Sequence, residues 1–347
     1  TVTPRATAGQ EVVEVREGVA ATVAVVDTFD DRLLRVNNYY TLGSTRGAHT
    51  ERDQTVIPML THPGPRSVFY LGMGTGITAG AALAFDVEQV TVCEILPEVV
   101  SLAERHFRPW VGGLFSDPRA QVHAEDGRTC LRRSPQRHDL IISDLFTPWK
   151  AGTGNLYTVE HYRTARDRLE PGGRMVQWVP LYQVSDRELA IIAATMDEAF
   201  EQVTLWRGDF FPERSIVALV GQADTEPLDP DVIAPTGRTV RDDPSLPDDA
   251  YEQLALRHYV GNVTASGLVG DAPLNTDTRA RIEYLAPRTH REVRAGEREF
   301  LVGAERERLF ARLRDLTPPE EDPYLARLSR RQHDHVAAGW HTQHARW

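Results

Sequence analysis

Residues 67–76 read Ser-Val-Phe-Tyr-Leu-Gly-Met-Gly-Thr-Gly, an apolar run that ends in a loop with glycine at alternate positions. A short apolar run bounded by glycine reads as a buried strand. Glycine lets the backbone turn sharply and come close to a ligand. The next segment, Ile77 to Phe85, has helical composition, so the predicted unit is strand, glycine loop, helix, with free N–H groups at the turn. A dinucleotide-binding loop would place its third glycine at position 77, where this chain has Ile77. That spacing argues against a nicotinamide cofactor.

Working outward, apolar strands alternate with helical segments: strands are predicted within 67–73, 89–95, 120–126, 139–145, 174–180, 202–208 and 215–221. This order predicts an α/β fold, a Rossmann-like doubly wound sheet with helices on both faces, over residues 61–222. The last two strands follow a helix starting near Ser185, where Ser185 and Glu188 fit a capping box. They are expected to pair as an antiparallel hairpin. Upstream, within residues 1–60, the β-branched runs 11–15, 21–27 and 32–43 predict a small antiparallel β-unit. Downstream, residues 223–250 are rich in Pro and Asp and read as a linker, and the rest of 223–347 as a mainly helical extension broken near 273–288.

Acids stand at successive strand ends. Glu94 lies about 20 residues beyond the glycine loop, where a carboxylate can accept from ribose hydroxyls. Asp126, preceded by Glu125, ends the third strand, where it can accept from an adenine amino group, and Asp144 ends the fourth. Each alone reads equally well as a helix cap or a solvated acid. Together they line the edge where open α/β sheets bind ligands, beyond the carboxyl ends of the strands.

The formal charge of -11 disfavours nucleic acid as the main partner. No apolar run reaches the roughly 18 residues of a membrane span and the first residues show no leader, so a soluble, cytoplasmic protein is expected. Cys93 and Cys130 lie in no metal-binding or disulfide pattern, so no disulfide and no metal site are expected. Among 39 basic residues Lys150 is the one lysine, and it falls in a Gly-rich candidate loop.

The stretches 59–76, 90–107, 125–133, 138–149 and 156–162 resemble the spermidine synthase family of class I S-adenosylmethionine-dependent transferases. The resemblance implies that Gly72, Gly74, Thr75 and Gly76 approach the amino-acid end of the cofactor, that Glu94 binds its ribose, and that Glu125 and Asp126 bind its adenine. It also implies that Tyr39 and Tyr40 reach the pocket from the β-unit.

The chain departs from the family pattern where aminopropyl transfer is defined. The family carries Asp at the place of Thr75, where it suits decarboxylated S-adenosylmethionine and repels the carboxylate of the intact cofactor. Its Asp-x-x-Asp reads Asp144-Leu145-Phe146-Thr147 here, and its Tyr-His-Glu reads Val56-Ile57-Pro58. Burying a diammonium substrate without paired carboxylates is costly. The expectation is therefore methyl transfer from intact S-adenosylmethionine to a small polar acceptor. Asp144 would orient the acceptor or take its proton, with Tyr157 and His161 beside it and Tyr39, Tyr40, Lys150 and Gln177 lining the acceptor pocket. The partners expected are that small molecule and, as one option, a second copy of the chain. The alternatives are polyamine aminopropyl transfer from the decarboxylated cofactor, with Glu51, Asp53 or Glu160 replacing the missing acids, and a non-catalytic nucleoside-binding module.

Overall fold

The computed structural model describes residues 9–38, 40–226, 228–233, 236–237 and 249–342. The chain divides into two compact units, one of residues 1–59 and 64–135, the other of residues 60–63 and 136–347.

The first unit opens with an antiparallel sheet in the order β1 (Glu11–Glu17), β2 (Thr22–Asp27), β3 (Arg32–Val36), β4 (Tyr40–Ser44). Val23, Val25 and Leu34 bury completely, which is why the β-branched runs fold as strands rather than turns. Asn37 and Asn38 make the β3–β4 turn with φ of 52° and 67°, a left-handed conformation that asparagine tolerates better than most residues. Helix α1 (Ala48–Leu60) follows. The strands β5 (Ser67–Leu71), β6 (Gln89–Glu94) and β7 (Ala120–Ala124) then pair in parallel, with Leu71 opposite Cys93 and Glu94 opposite Ala124. Helices α2 (Ile77–Gly80) and α3 (Pro97–His106) connect them, and α4 (Gly127–Arg133) follows β7. Phe69, Val90, Val92, Leu102 and Phe107 are fully buried and form the core of this unit.

One expectation fails here. Cys93 on β6 and Cys130 on α4 are joined by a disulfide, with Cα atoms 6.5 Å apart. Neither cysteine sits in a recognisable spacing, and only the packing of α4 against β5 and β6 brings them together.

In the second unit β8 (His138–Ser143) pairs in parallel with β9 (Leu169–Pro180), and β10 (Gln202–Arg207) and β11 (Ile216–Gln222) form the expected antiparallel hairpin beside it. Helix α5 (Val159–Asp167) links β8 to β9, and α6 (Asp186–Asp197) starts with the Ser185/Glu188 capping box. The region after residue 249 is mainly helical, with helices Ala250–His258, Arg281–Arg294, Ala304–Leu316 and Arg330–Thr342. It also holds β12 (Tyr259–Asn262), an unexpected strand antiparallel to β10. Much of the expected linker over 223–250 lies outside the described residues. Among the described residues no helix is long and apolar enough to cross a membrane.

Candidate active site

The glycine loop leaves β5 with Gly72, Gly74 and Gly76 at φ of 85°, 54° and 86°, a region that side-chain-bearing residues rarely enter. Its N–H groups partly serve the loop: Gly72 donates to the Cys93 carbonyl and Gly76 to that of Met73, both at 2.9 Å. Glu94, 7% exposed at the end of β6, completes the fold of the loop. Its Oε2 accepts the Met73 N–H at 3.0 Å and its Oε1 the Leu96 N–H at 2.9 Å. The parallel register, with Gly72 one residue beyond the Leu71–Cys93 pair, makes this contact possible. The loop and Glu94 are thus brought together.

Asp126 is exposed and caps α4, accepting the Thr129 N–H at 2.8 Å, while Glu125 pairs with Arg133. Ile95, a large apolar residue 62% exposed directly after Glu94, was not singled out from the sequence. Its signal is its place next to a strand-end acid. Tyr40 is half-buried opposite Val36 on β3, and Tyr39 lies outside the described residues.

Thr75 is 1% exposed, and its hydroxyl donates to Oε2 of Glu51 on α1. Oε1 of the same carboxylate accepts the Ser44 N–H at 2.9 Å. A Cβ at Gly43 would stand 2.6 Å from Glu51 Oε1 and 2.8 Å from Thr75 Cγ2, so the gap between β4 and the loop exists only because residue 43 is glycine. Asp53, two residues further along α1, is buried, and that burial pushes its carboxyl up to about 6.

The second unit holds the residues expected to act on the acceptor. Asp144 follows β8 and accepts the N–H of Leu145 at 2.7 Å. Gln177 on β9 lies opposite Ser143 and is fully buried, with its Nε2 on the Trp178 carbonyl at 3.1 Å. Gln177 Oε1, Ser143 Oγ and Thr147 Oγ1 are buried with no hydrogen-bond partner among the described residues. Lys150 is exposed on the turn that leads to Tyr157, which is fully buried, and His161 on α5 is 1% exposed.

This turn is held by residues that sequence reading passed over as a break in the helical extension. Asn275, fully buried, donates through Nδ2 to the carbonyls of Gly154 and Tyr157, both at 2.9 Å, and accepts the Ile282 N–H at 3.2 Å. The Glu283 carboxylate accepts the N–H groups of Gly152 at 2.7 Å and Gly154 at 3.1 Å. Asp277 accepts the Thr158 hydroxyl at 2.7 Å, and its own N–H occupies Glu160 at 2.9 Å. Their only sequence signal is a run of Asn, Asp and Thr at 275–278, a composition that also makes ordinary turns.

Parallel strands with a glycine loop after the first and an acid after the second are the arrangement of a class I S-adenosylmethionine-dependent fold. Within it, residues 50–206 match the spermine/spermidine synthase domain. The spermidine synthase from Thermotoga maritima superposes with a TM-score of 0.57 at 19% identity, covering 70% of this chain and 82% of that one. A probable spermidine synthase from Corynebacterium glutamicum gives 0.54 at 18% identity, over 77% of this chain and 97% of that one. At such identities the likeness is one of fold.

By sequence, polyamine aminopropyltransferase 2 of Pseudomonas aeruginosa is 32% identical over 194 residues, 53% of this chain and 54% of the relative. Polyamine aminopropyltransferase 2 of Hyperthermus butylicus is 35% identical over 144 residues, 41% of this chain and 47% of the relative. The chain therefore spans about half the length of these relatives. They overturn the expectation of methyl transfer from intact S-adenosylmethionine, because the relatives and the matching domain are named for polyamine synthesis. The physical reason for the error is visible at Thr75. There the hydroxyl donates to Glu51, one of the acids that the aminopropyl alternative names as replacements.

Proposed function

We propose that the chain is a polyamine aminopropyltransferase that uses decarboxylated S-adenosylmethionine. The observation that carries the reading is the Glu94 carboxylate locked to the glycine loop at the strand ends, within the segment that matches the spermine/spermidine synthase domain. In this reading Gly72 to Gly76 face the aminopropyl end, Glu94 meets the ribose, Asp126 and Glu125 meet the adenine, and Ile95 packs on the adenine ring.

The reaction is a displacement. The acceptor amine nitrogen attacks the aminopropyl carbon bonded to the sulfonium, the carbon–sulfur bond breaks, and its electron pair stays on sulfur to leave neutral 5′-methylthioadenosine. The amine then loses a proton. Since the sulfonium is already activated, the protein acts by alignment and exclusion of water. Asp144 orients the attacking amine and takes its proton. Tyr157, His161, Gln177, Tyr39 and Tyr40 are the proposed remainder of the acceptor site. Lys150 is left out of it, because an exposed ammonium does not suit a polycation.

The test is incubation with decarboxylated S-adenosylmethionine and a panel of diamines and polyamines, followed by mass spectrometry. An aminopropyl gain on an amine with release of 5′-methylthioadenosine is expected. Absence of that gain on every amine, or methylation from intact S-adenosylmethionine, would refute the reading.

A further inference from the structure

We propose that Asn275 and Glu283 are positioning residues for the transfer, holding the turn over 147–157 in the one conformation that receives the amine acceptor. The inference rests on the aminopropyltransferase reading and deepens it by naming what fixes the acceptor side.

The turn runs between two residues of the proposed acceptor site, Asp144 after β8 and Tyr157 before α5. It carries the Thr147 hydroxyl, which is buried without a hydrogen-bond partner among the described residues. Its own sequence does little to fix it, since Gly152, at φ of 87°, and Gly154 leave the backbone wide freedom. The restraint comes from 118 to 131 positions further along the chain.

Glu283, in the first turn of the helix Arg281–Arg294, accepts the Gly152 N–H through Oε1 and the Gly154 N–H through Oε2, so one carboxylate sets the backbone between them. A Cβ at Gly154 would stand 2.7 Å from the Glu283 nitrogen, so this approach needs glycine. Asn275 engages all of its polar groups. Its amide nitrogen serves the Gly154 and Tyr157 carbonyls, and its Oδ1 takes the Ile282 N–H. Its own N–H goes to the Thr195 hydroxyl on α6 at 2.9 Å, and its carbonyl takes the Val159 N–H of α5 at 3.0 Å. One buried residue thereby locks the turn to α5, to α6 and to the helix that carries Glu283. The rings of Trp149, within the turn, and His290, on that helix, add a third tie with centroids 4.6 Å apart.

A turn that samples several conformations binds its acceptor with an apparent affinity reduced by the fraction that is competent, while the rate at saturating acceptor is kept. Loosening it therefore raises KM for the amine and spares kcat. A merely structural defect, which inactivates part of the protein, lowers kcat and leaves KM alone. Each hydrogen bond to a charged acceptor is worth about tenfold or more in the turn's equilibrium.

The experiment is steady-state kinetics with saturating decarboxylated S-adenosylmethionine and varied amine, with amide exchange over residues 150–158 alongside. Glu283→Ala removes both acceptors and should raise KM for the amine at least tenfold, with kcat within about threefold of wild type and faster exchange in the turn. Affinity for 5′-methylthioadenosine, whose proposed contacts lie in the first unit, should stay within about twofold. Glu283→Gln keeps one acceptor oxygen and should raise KM by a smaller factor, and it carries the test should Glu283→Ala fail to fold. An unchanged KM, or a fall in kcat alone, in a wild-type background that makes aminopropylated amines overturns the positioning role and leaves the proposed function standing. A wild type that transfers no aminopropyl group overturns both.

Discussion

Glu94→Ala removes the acceptor of two backbone N–H groups, those of Met73 at 3.0 Å and Leu96 at 2.9 Å, from a place where Met73 is 2% and Glu94 7% exposed. Each hydrogen bond to a charged acceptor contributes about 1.5–3 kcal/mol, so the variant should lose about 3–6 kcal/mol of stability before any ligand is considered. Glu94→Gln keeps one acceptor oxygen and should lose about half as much. Asp126→Ala, at an exposed cap, should lose only about 0.5–2 kcal/mol. These differences separate loop support from ligand binding. The assay is urea unfolding of each protein alone and with 5′-methylthioadenosine in excess, where a ligand at about 100 times its Kd adds about 2.7 kcal/mol to wild type. Asp126→Ala and Glu94→Gln should both show a smaller increment. A Glu94→Ala protein within 1 kcal/mol of wild type would refute the idea that this carboxylate holds the loop, and an undiminished increment in both other variants would remove the nucleoside from this edge.

Asn275→Ala strips two hydrogen bonds from the turn carrying Gly154 and Tyr157 and a third from Ile282, so stability should fall by about 3 kcal/mol and amide exchange should accelerate over residues 150–158; protection equal to wild type would contradict the clamp. Burial pushes His62 and His138 each from 6.5 down to about 4, so below pH 6.5 the unfolded chain takes protons that the folded chain refuses. Stability should fall with falling pH over that window by up to about 1.4 kcal/mol per pH unit for each. His138→Gln should have the shallower profile by urea unfolding, and parallel profiles would disprove this; the opposite slope from Asp53, raised to about 6, is common to both proteins and cancels. Reducing the Cys93–Cys130 disulfide, which spans 37 residues, should lower stability by about 4 kcal/mol, and coincident unfolding midpoints with and without reductant would show that the bond does not restrain the unfolded chain.

What the sequence determined by itself was everything written in short-range periodicity. Seven apolar runs became the expected strands, the glycine loop followed β5, and the Ser185/Glu188 box started α6 where its spacing placed it. These signals are local because strand alternation, glycine torsions and capping are settled within a few residues. Tertiary structure decided the pairings between distant segments. Cys93 met Cys130, the turn at 150–158 was tied down from residues 275–283, Tyr259–Asn262 added a strand to β10, and Glu51 came to lie on Thr75. No window of sequence holds both members of such a pair, and each depends on strand register and on how a helix packs. That is why the glycine loop and the strand-end acids were legible one by one, while the contact between Glu51 and Thr75, 24 positions apart, was settled only once the chain had folded.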